Sequence, residues 1–347
     1  MRGWAAVSAR ARPVERLPQR FTPQLATLVS TAPDGDAWLH ELKYDGYRIG
    51  CRIDRGTVRL LSRNGNDWTA RFPSLREAAM QLPVRTALLD GEVTVVLPDG
   101  RTSFQALQNA LAAVPRSGKL VYFVFDLVHL DGTDIGRLPL EQRKARLQRV
   151  LGSTGEVIRY ADHTVGDGPG IFSAACRRGA EGIVSKRRDL PYRPGRGGGW
   201  LKIKCIARQE FVIGGFTDPQ GARVGLGALL VGVHDARGRL VFAGKVGTGF
   251  TAATARALRE RLDAIEQAGC PFASRPAGRL GRGVHWVRPT LVAEVAFTEW
   301  TADGKIRHPS FQGVRADKRP SQVRRERPTA ASRRRRAARG RSGTSRH

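Results

Sequence analysis

The sequence predicts an α+β protein in which antiparallel sheets with flanking helices are followed by a small β-barrel. Three observations support this prediction. Up to residue 206, segments rich in β-branched and aromatic residues come in adjacent pairs, separated by segments with apolar residues at helical spacing. After residue 206, short strand-like segments surround a single helix. Hydrophobic residues make up 41% of the 347 residues, which is enough to form two packed cores.

The first domain is predicted at residues 21–206. Its strands are expected where β-branched and aromatic residues alternate with other residues, at 37–43, 47–53, 57–62, 87–97 and 120–128. Its helices are expected at 74–82, 104–113 and 139–151, where apolar residues recur every three or four positions. The preceding residues, 1–20, carry five arginines and two prolines and are predicted to be a loose basic arm.

The second domain is predicted at residues 207–318. Its strands are expected at 210–217, 227–235, 239–246 and 291–298, with one helix at 251–268 capped by Thr251. This pattern is typical of the oligonucleotide-binding (OB) barrel, although composition alone does not exclude another small barrel. Residues 319–347 contain eleven arginines and one acid with almost nothing to bury, which predicts a disordered tail.

The charge of the chain indicates a polyanionic partner. Lysine and arginine outnumber aspartate and glutamate by 59 to 31, a net charge of +28. Such an excess is costly to the folded state unless a negative partner offsets it, so nucleic acid is the first expectation. Solubility alone is the alternative. In the tail, the run Arg333, Arg334, Arg335 and Arg336 is predicted to bind DNA phosphates, or else to have no specific role.

The cysteines and the apolar segments bear on where the protein works. The four cysteines are far apart and include no Cys-x-x-Cys pair, which argues against a zinc site and a disulfide framework and favours a reducing cytoplasm. No apolar run is long enough for a signal peptide or a membrane span. The sequence therefore predicts a soluble, intracellular protein without a membrane partner.

The stretch from Glu41 to Arg48 contains the candidate nucleophile, Lys43. Its sequence, Glu-Leu-Lys-Tyr-Asp-Gly-Tyr-Arg, predicts a β-hairpin that turns at the Asp-Gly pair. A nucleophilic lysine must be held beside its electrophile, and its ammonium pKa must be lowered so that free amine is available. The hairpin would provide a fixed position, with Arg48 on the other arm. The alternative is an ordinary exposed lysine beside a turn.

Four later stretches place charged or aromatic residues on strand-like segments. Asp90 and Glu92 would share one face of a strand, where two carboxylates could hold a hard cation. Phe125 is either a core residue or a platform that stacks on a base. Glu181 opens a strand that ends in a lysine. The neighbouring pair Lys202 and Lys204 would share one face of another strand, where two ammonium groups repel each other unless an anion such as a triphosphate lies between them.

The order of these motifs resembles that of the covalent nucleotidyltransferases. The series runs Lys43-Tyr-Asp-Gly46, Ser62-Arg63-Asn-Gly65, Asp90-Gly-Glu92, Phe125-Asp126, Glu181-Gly182 and Lys202-Ile-Lys204. It is most similar to ATP-dependent DNA ligases, in particular the ligase module of bacterial ligase D, the end-joining enzyme. The stretch that ends in Arg315-Ala-Asp317-Lys318 also resembles the closing segment of that family. The resemblance covers roughly residues 20 to 318, and the full ligase D carries polymerase and nuclease modules for which 347 residues leave no room.

The resemblance implies a role for each matching residue. Lys43 would attack the α-phosphate of ATP and become adenylylated. The remaining residues would contact the nucleotide, the metal or, as the closing motif, the phosphates. The nucleotide group is Glu41, Arg48, Arg63, Glu92, Phe125, Lys202 and Lys204, the metal group is Glu92 and Glu181, and the closing motif is Arg315, Asp317 and Lys318.

The function implied by the resemblance is ATP-dependent sealing of 5′-phosphate and 3′-hydroxyl ends in duplex DNA through a lysyl-AMP intermediate, in repair or end joining. ATP would be the substrate, with Mg²⁺ or Mn²⁺. The resemblance also implies a monomer acting on nicked or broken DNA in the bacterial cytoplasm, at the nucleoid, with a Ku-like end-binding protein as a further partner. Two alternatives stay open: an RNA ligase or capping-type enzyme, and a non-catalytic nucleic-acid-binding protein.

Overall fold

The computed structural model describes residues 16–111, 118–152, 155–219, 221 and 224–328. Strands dominate, and five α-helices lie against them. The strands are β1 Gln24–Leu28, β2 Trp38–Leu42, β3 Tyr47–Asp54, β4 Thr57–Ser62, β5 Thr86–Val96, β6 Thr102–Ser103, β7 Lys119–Leu130, β8 Thr133–Asp134, β9 Ile158–Tyr160, β10 His163–Val165, β11 Gly182–Arg187, β12 Gly195–Lys204, β13 Ala207–Thr217, β14 Ala228–His234, β15 Leu240–Val246, β16 Glu266–Gln267, β17 Val284–Val287, β18 Val292–Phe297 and β19 Ser310–Val314. The helices are α1 Pro73–Met80, α2 Phe104–Leu111, α3 Leu140–Leu151, α4 Gly168–Arg177 and α5 Ala252–Asp263.

The first domain contains two sheets. One has the strand order β4-β3-β5-β7-β8, with β6 paired to β5 and β9 paired to β7. Helices α1, α2 and α3 pack against this sheet and form with it the larger apolar core of the first domain. The other has the order β1-β12-β11-β2-β10 and packs against α4. Among the strand pairs of the described residues, β1 with β12 and β7 with β9 are parallel and the others are antiparallel. The predicted antiparallel sheets with flanking helices are therefore present, with these two parallel pairings added.

The predicted hairpin around Lys43 is wrong. Strand β2 pairs with β11 and β10 in the five-stranded sheet, whereas β3 pairs with β4 and β5 in the seven-stranded sheet. The segment between them therefore crosses from one sheet to the other. The crossing passes so close to β5 that a Cβ at Gly46 would lie 2.0 Å from the carbonyl oxygen of Val93. The glycine therefore permits a close backbone approach and does not form a hairpin turn.

Helix α4 was not predicted, and it contains one partner of an unexpected disulfide. The helix begins with Gly168-Pro-Gly, which is typical of a loop, but the Asp167 side chain accepts a hydrogen bond from the backbone N–H of Gly170 and caps it. Cys176 near its end is bonded to Cys205, 29 residues further along the chain. The prediction that the cysteines form no disulfide is therefore wrong for this pair, because sequence spacing does not show which cysteines meet in the fold. The cysteine pattern consequently gives no support for a reducing compartment.

The second domain is built around β13. One edge of β13 pairs with β14, and the other edge pairs with β18 along its first half and with β17 along its second half. Thr251 caps helix α5 as predicted and forms a reciprocal capping box with Thr254, and the helix itself begins at Ala252. It ends at Asp263, earlier than the predicted residue 268, because Glu266 and Gln267 pair with β17.

Both predicted tails are shorter than expected. Leu17 is buried against Phe21 in the first domain, so the basic arm does not extend to residue 20. The prediction of disorder from Arg319 onward is wrong for residues 319–328. Pro320–Gln322 form a short helical turn, and Val323 is buried in the core of the second domain. Residues 1–15 and the arginine run Arg333–Arg336 lie outside the described residues. Within the described ranges, no helix has the length and apolar character needed to cross a membrane.

Arg143 of α3 ties this helix to the sheet beneath it. Its side chain is fully buried and forms two hydrogen bonds with the Asp126 carboxylate of β7, at 2.7 and 2.8 Å. It also donates to the carbonyl oxygens of Leu138 and Leu190. Removing one partner of a buried ion pair leaves an uncompensated charge in the interior. The pair therefore makes the packing of α3 dependent on a single arginine.

We expect Arg143→Met to lower the free energy of unfolding by about 3–5 kcal/mol, because Asp126 would stay buried without its cation. Urea denaturation followed by circular dichroism measures this change. Arg149→Met on the exposed face of the same helix is the matched control and should shift the free energy by less than about 0.5 kcal/mol. Similar effects of the two substitutions would contradict the buried-pair interpretation.

Candidate nucleotide-binding site

One pocket contains the twelve described residues to which the family resemblance assigned a site role, whereas Asp90 does not line it. It lies between the two sheets of the first domain and is covered by the second domain. The predicted residues that line it are Glu41, Lys43, Arg48, Arg63, Glu92, Phe125, Glu181, Lys202, Lys204, Arg315, Asp317 and Lys318. Residues from both ends of the chain thus converge, and their individual roles remain predictions.

Lys43 lies where the chain leaves β2 and crosses between the sheets. Its backbone N–H donates to the carbonyl oxygen of Gly182 (2.9 Å), which fixes the residue beside β11. Its ammonium group lies 2.6 Å from the carboxylate of Glu181. Burial lowers the pKa of Lys43, but the charges of Glu181, Glu92 and Asp45 more than offset this effect, so the pKa is raised. The expected lowering of the Lys43 pKa is therefore wrong, because the surrounding carboxylates stabilise the charged ammonium group.

The two acids predicted to share a cation have different surroundings. Asp90 is fully buried and accepts two hydrogen bonds from Arg48, at 2.5 and 2.7 Å, and one from the Tyr192 hydroxyl at 2.7 Å. It is therefore engaged in fixing Arg48. Glu92 lines the pocket, and burial raises its pKa to about 7 although Arg48 and Lys43 oppose the shift. Of this pair, only Glu92 presents its carboxylate to the pocket.

Glu41 is held by two buried lysines. Its carboxylate oxygens lie 2.6 Å from the ammonium groups of Lys144 and Lys186, and all three side chains are about 2% exposed. Lys144 also donates to the carbonyl oxygen of Ala161 (3.0 Å). Lys144 was missed in the sequence because it lies in a charged helical stretch that is typical of a solvated face. The orientation of Glu41 toward the pocket therefore depends on α3.

Phe125 lies at the wall of the pocket, 7% exposed. Its ring packs edge to face against Trp200, with 6.0 Å between centroids. The Lys186 ammonium group lies 4.2 Å from the ring centroid and the Arg48 guanidinium 4.4 Å from it. Phe125 is thus both part of a small aromatic cluster and exposed to the pocket, so the two predicted roles are not exclusive.

The lysine pair of β12 already holds an anion from the chain itself. Lys202 lies 2.6 Å and Lys204 2.9 Å from separate carboxylate oxygens of Glu326. Burial and the charge of Lys204 lower the pKa of Lys202 to about 8, against the opposing effect of Glu326. The sequence predicted an anion between these lysines. Its source was missed, although Glu326 is the single acid among the last 29 residues.

The closing motif reaches the pocket from the second domain. Arg315 forms two hydrogen bonds with Asp317, both 2.8 Å, and one with Glu294 at 2.9 Å. Lys318 pairs with Glu210 of β13 at 2.8 Å. Each of these side chains therefore enters the pocket already engaged with a neighbouring carboxylate.

Contacts between the domains keep the pocket covered. Arg208 of β13 pairs with Asp45 beside the nucleophile segment, at 2.6 Å. The Asn64 side chain donates to the carbonyl oxygen of Asp317 (2.5 Å), and the Arg315 guanidinium lies 4.5 Å from the ring centroid of Phe104 on α2. The structure is therefore in a closed arrangement, with the second domain seated on the first.

Arg63 differs from the other pocket cations that the sequence singled out. It follows β4 and lines the pocket, yet within the described residues it has no ion-pair partner. Burial lowers its pKa from the ordinary arginine value, with a partly opposing effect from Glu210. A half-buried guanidinium without an ion-pair partner among the described residues provides donors for an external anion such as a phosphate.

Two family profiles match the chain. The ATP dependent DNA ligase domain matches residues 17–204, and the ATP dependent DNA ligase C terminal region matches residues 222–318. The first profile alone covers more than half of the chain.

Comparison with individual proteins also points to ATP-dependent DNA ligases. The chain is 42% identical to the multifunctional non-homologous end joining protein LigD of Pseudomonas aeruginosa over 98% of its length, and 38% identical to the LigD end joining DNA repair protein of Mycobacterium tuberculosis over 88%. It covers 42% and 40% of those proteins, so it spans about two fifths of their length. It is 36% identical to a solved structure, a mycobacterial DNA ligase D complexed with ATP and MES, with a TM-score of 0.67 over 88% of this chain and 98% of that one.

These matches confirm the resemblance seen in the motif series and the predicted fold class, an adenylation domain followed by an OB-fold domain. The two profiles match the two halves of the pocket, because one covers the residues around Lys43 and the other covers the closing motif. The chain belongs to the family of ATP-dependent DNA ligases.

Proposed function

We propose that this chain seals 5′-phosphate and 3′-hydroxyl ends in duplex DNA by way of a covalent AMP adduct on Lys43. The observation that carries the proposal is the convergence of Lys43 with acidic, basic and aromatic side chains in one covered pocket. The family supports ATP as the nucleotide. An RNA ligase or capping-type enzyme would use the same first step with another nucleotide or acceptor.

In the first step, the Lys43 amine attacks the α-phosphorus of ATP. A P–N bond forms, the bond from the α-phosphorus to the bridging oxygen breaks, and pyrophosphate leaves. Lys43 must lose a proton before it attacks, and the Glu181 carboxylate is the acceptor within hydrogen-bond distance at 2.6 Å. Cations that line the pocket, such as Lys202 and Arg315, would reduce the cost of placing the triphosphate beside the amine.

A divalent cation fits the residues present, with its remaining ligands supplied by ATP and water. In the described part of the chain, no three His, Cys, Asp or Glu side chains converge as a ready-made metal site. Magnesium in nucleotide sites commonly uses one or two carboxylates together with substrate phosphates. Glu92 and Glu181, which line the pocket, would be those carboxylates. When bound, Mg²⁺ or Mn²⁺ would neutralise charge on the phosphates.

In the second and third steps, AMP passes to a DNA 5′-phosphate and the adjacent 3′-hydroxyl then displaces it. Arg63, which lines the pocket and has no ion-pair partner among the described residues, would contact the nick phosphate. The DNA must approach Lys43 from the side now covered by the second domain, so the interdomain contacts of Arg208 and Asn64 must open. The closed arrangement of the two domains therefore favours the attack of Lys43 on ATP and keeps the DNA 5′-phosphate away from Lys43.

The cellular role proposed is DNA repair by end joining. It rests on the names of the two relatives, which are end joining proteins that extend well beyond the region matched here. We propose that the chain acts as a monomer on nicked or broken duplex DNA, at the nucleoid in the cytoplasm, and that a Ku-like end-binding protein is a partner. The net charge of +28 supports a polyanionic substrate.

We expect Lys43→Ala to abolish labelling of the protein by α-labelled ATP, because no other group would form the phosphoramide. A denaturing gel measures the labelled band, and a chase with nicked DNA should discharge the label from the unaltered protein into sealed product. Lys119→Ala, which removes an exposed lysine on β7, is the matched control and should label normally. Residual labelling of the Lys43 variant would exclude this residue as the nucleophile. Labelling of the unaltered protein by α-labelled GTP would indicate capping chemistry.

We expect Arg315→Lys to separate the first step from the later ones. Lysine keeps the charge but cannot make the forked contacts to Asp317 and Glu294, so the rate of Lys43 adenylylation should fall by about 10²-fold. Sealing by protein that is already adenylylated should change by less than about tenfold, because the closing motif must move away from the DNA. Single-turnover kinetics measures both rates. Arg239→Lys, at an exposed ion pair of the second domain, is the control and should alter neither rate. Equal losses in both rates would show that Arg315 contributes to all steps of the reaction.

We expect the undescribed end of the chain, residues 329–347, to contribute to DNA affinity through its arginines. Truncation after Pro328 should reduce the slope of log affinity against log salt by about 0.9 for each DNA phosphate that these arginines neutralise. Titration of labelled duplex DNA at several salt concentrations measures the slope. Adenylylation by ATP should stay unchanged, because the ordered segment up to Glu326 is retained. An unchanged slope would show that these arginines do not bind DNA.

A further inference from the structure

Glu326 places a carboxylate at the end of the nucleotide pocket that contains the lysine pair. One carboxylate oxygen lies 2.6 Å from Lys202, and the other lies 2.9 Å from Lys204. The Glu326 side chain is 23% exposed and the lysine side chains are 16% and 11% exposed. The contact is therefore largely shielded from solvent, unlike a typical surface ion pair.

The segment that carries Glu326 is fixed to the second domain by its backbone. The Gln209 side chain, which is 3% exposed, accepts a hydrogen bond from the backbone N–H of Glu326 (2.8 Å) and donates to the carbonyl oxygen of Arg324 (3.0 Å). Just before this, Val323 is buried and its carbonyl oxygen accepts a hydrogen bond from the backbone N–H of His234 (2.9 Å). These contacts hold the carboxylate over the lysines, so its position does not depend on a freely moving tail.

The carboxylate has the chemistry of a phosphate at this place. Lys202 and Lys204 lie two residues apart on one face of β12, and their charges repel unless an anion bridges them. The two oxygens of Glu326 satisfy one lysine each, as two oxygens of a phosphate would. The lysines also keep the Glu326 pKa at about 2, despite the opposing effect of burial, so the group is an anion.

We propose that Glu326 is an internal competitor for the phosphates of ATP: it holds the lysine pair until ATP binds, is displaced when the β- and γ-phosphates bind there, and returns when pyrophosphate leaves. The inference rests on the proposed function of this pocket as the ATP site. Two anions cannot share the lysine pair, since their repulsion in a shielded site is large. ATP binding therefore includes the release of Glu326 from both lysines.

Two consequences follow for the reaction. The apparent affinity for ATP is reduced by the fraction of molecules in which Glu326 holds the lysines. The reverse of the first step is opposed in the same way. In that reverse step, pyrophosphate attacks the phosphorus of the Lys43 adduct, a P–O bond forms, the P–N bond breaks, and the amine takes up a proton. In this proposal pyrophosphate also binds at Lys202 and Lys204, so a returning Glu326 makes the adduct more persistent.

The test is Glu326→Gln, which keeps the size of the side chain and removes its charge. We expect the ATP concentration for half-maximal adenylylation, and the pyrophosphate concentration for half-maximal reversal of the adduct, to fall about 3- to 30-fold. Glu326→Asp retains the charge on a shorter side chain. Both of its half-maximal concentrations should lie between those of the unaltered protein and those of Glu326→Gln. Glu299→Gln, at an exposed ion pair of the same domain, is the matched control and should leave both concentrations unchanged. Unchanged or increased concentrations in Glu326→Gln would overturn the proposal.

Binding of pyrophosphate alone, measured by calorimetry on the full chain, separates this inference from the proposed function. The measurement needs no covalent chemistry, and Glu326→Gln should bind pyrophosphate more tightly by the same factor. Absence of labelling by ATP together with tighter pyrophosphate binding would refute the lysyl-AMP function and leave Glu326 as an occupant of an anion site. Normal labelling with unchanged pyrophosphate affinity would refute the role of Glu326 and leave the function intact.

Discussion

The crossing of the chain from one sheet to the other at residues 43–46 is the constraint on which the site depends. The close approach of Gly46 to Val93 lets the chain pass between the sheets without a longer loop. Asp45 in the same segment accepts hydrogen bonds from the backbone N–H of Phe104 and from Arg208, so the crossing is tied to α2 and to the second domain. Lys43 is consequently held by three parts of the structure. A hairpin would have placed it on one sheet, with no second wall to form a pocket.

Charge pairing within the pocket explains why so many ionisable side chains tolerate burial together. Most of the arginines and lysines that line the pocket lie against a carboxylate of the chain, and the clearest example is the bond of Arg48 to Asp90. These pairs are not equivalent. Arg48 and Asp90 join adjacent strands and have no reason to separate, whereas Lys43 with Glu181 and the lysine pair with Glu326 join groups that ATP chemistry must part. Some ion pairs of the site therefore stay fixed, whereas others must break when ATP binds and reacts.

The sequence predicted twelve of the residues that line the pocket but not how they pair, and it missed others such as Arg208 and Glu294. Motif order and strand periodicity depend on local sequence, and these were sufficient for the placement of Glu92, Phe125 and the lysine pair. Pairing depends on contacts distant in sequence, so Lys144 on Glu41 and Glu326 on Lys202 were missed. The same reason explains the wrong hairpin, because an Asp-Gly pair has the same local signal whether the chain turns back or crosses to another sheet.

The second domain brings opposite charges to the same pocket, and this couples closure to the state of the nucleotide. Arg315 and Lys318 add cations, whereas Glu326 adds an anion, and all three lie in the domain whose first strand begins at Ala207. Glu326 supplies the negative charge that the lysine pair requires, and this contact joins the second domain to the first. With ATP bound, the phosphates supply that charge, and the same closure then presents the cations to them. In the proposed cycle, Glu326 returns to the lysine pair once pyrophosphate has left, and the domain withdraws for DNA when this contact opens together with those of Arg208 and Asn64. The proposed exchange of anions on Lys202 and Lys204 would thus link the chemical step to the contacts that hold the second domain on the first.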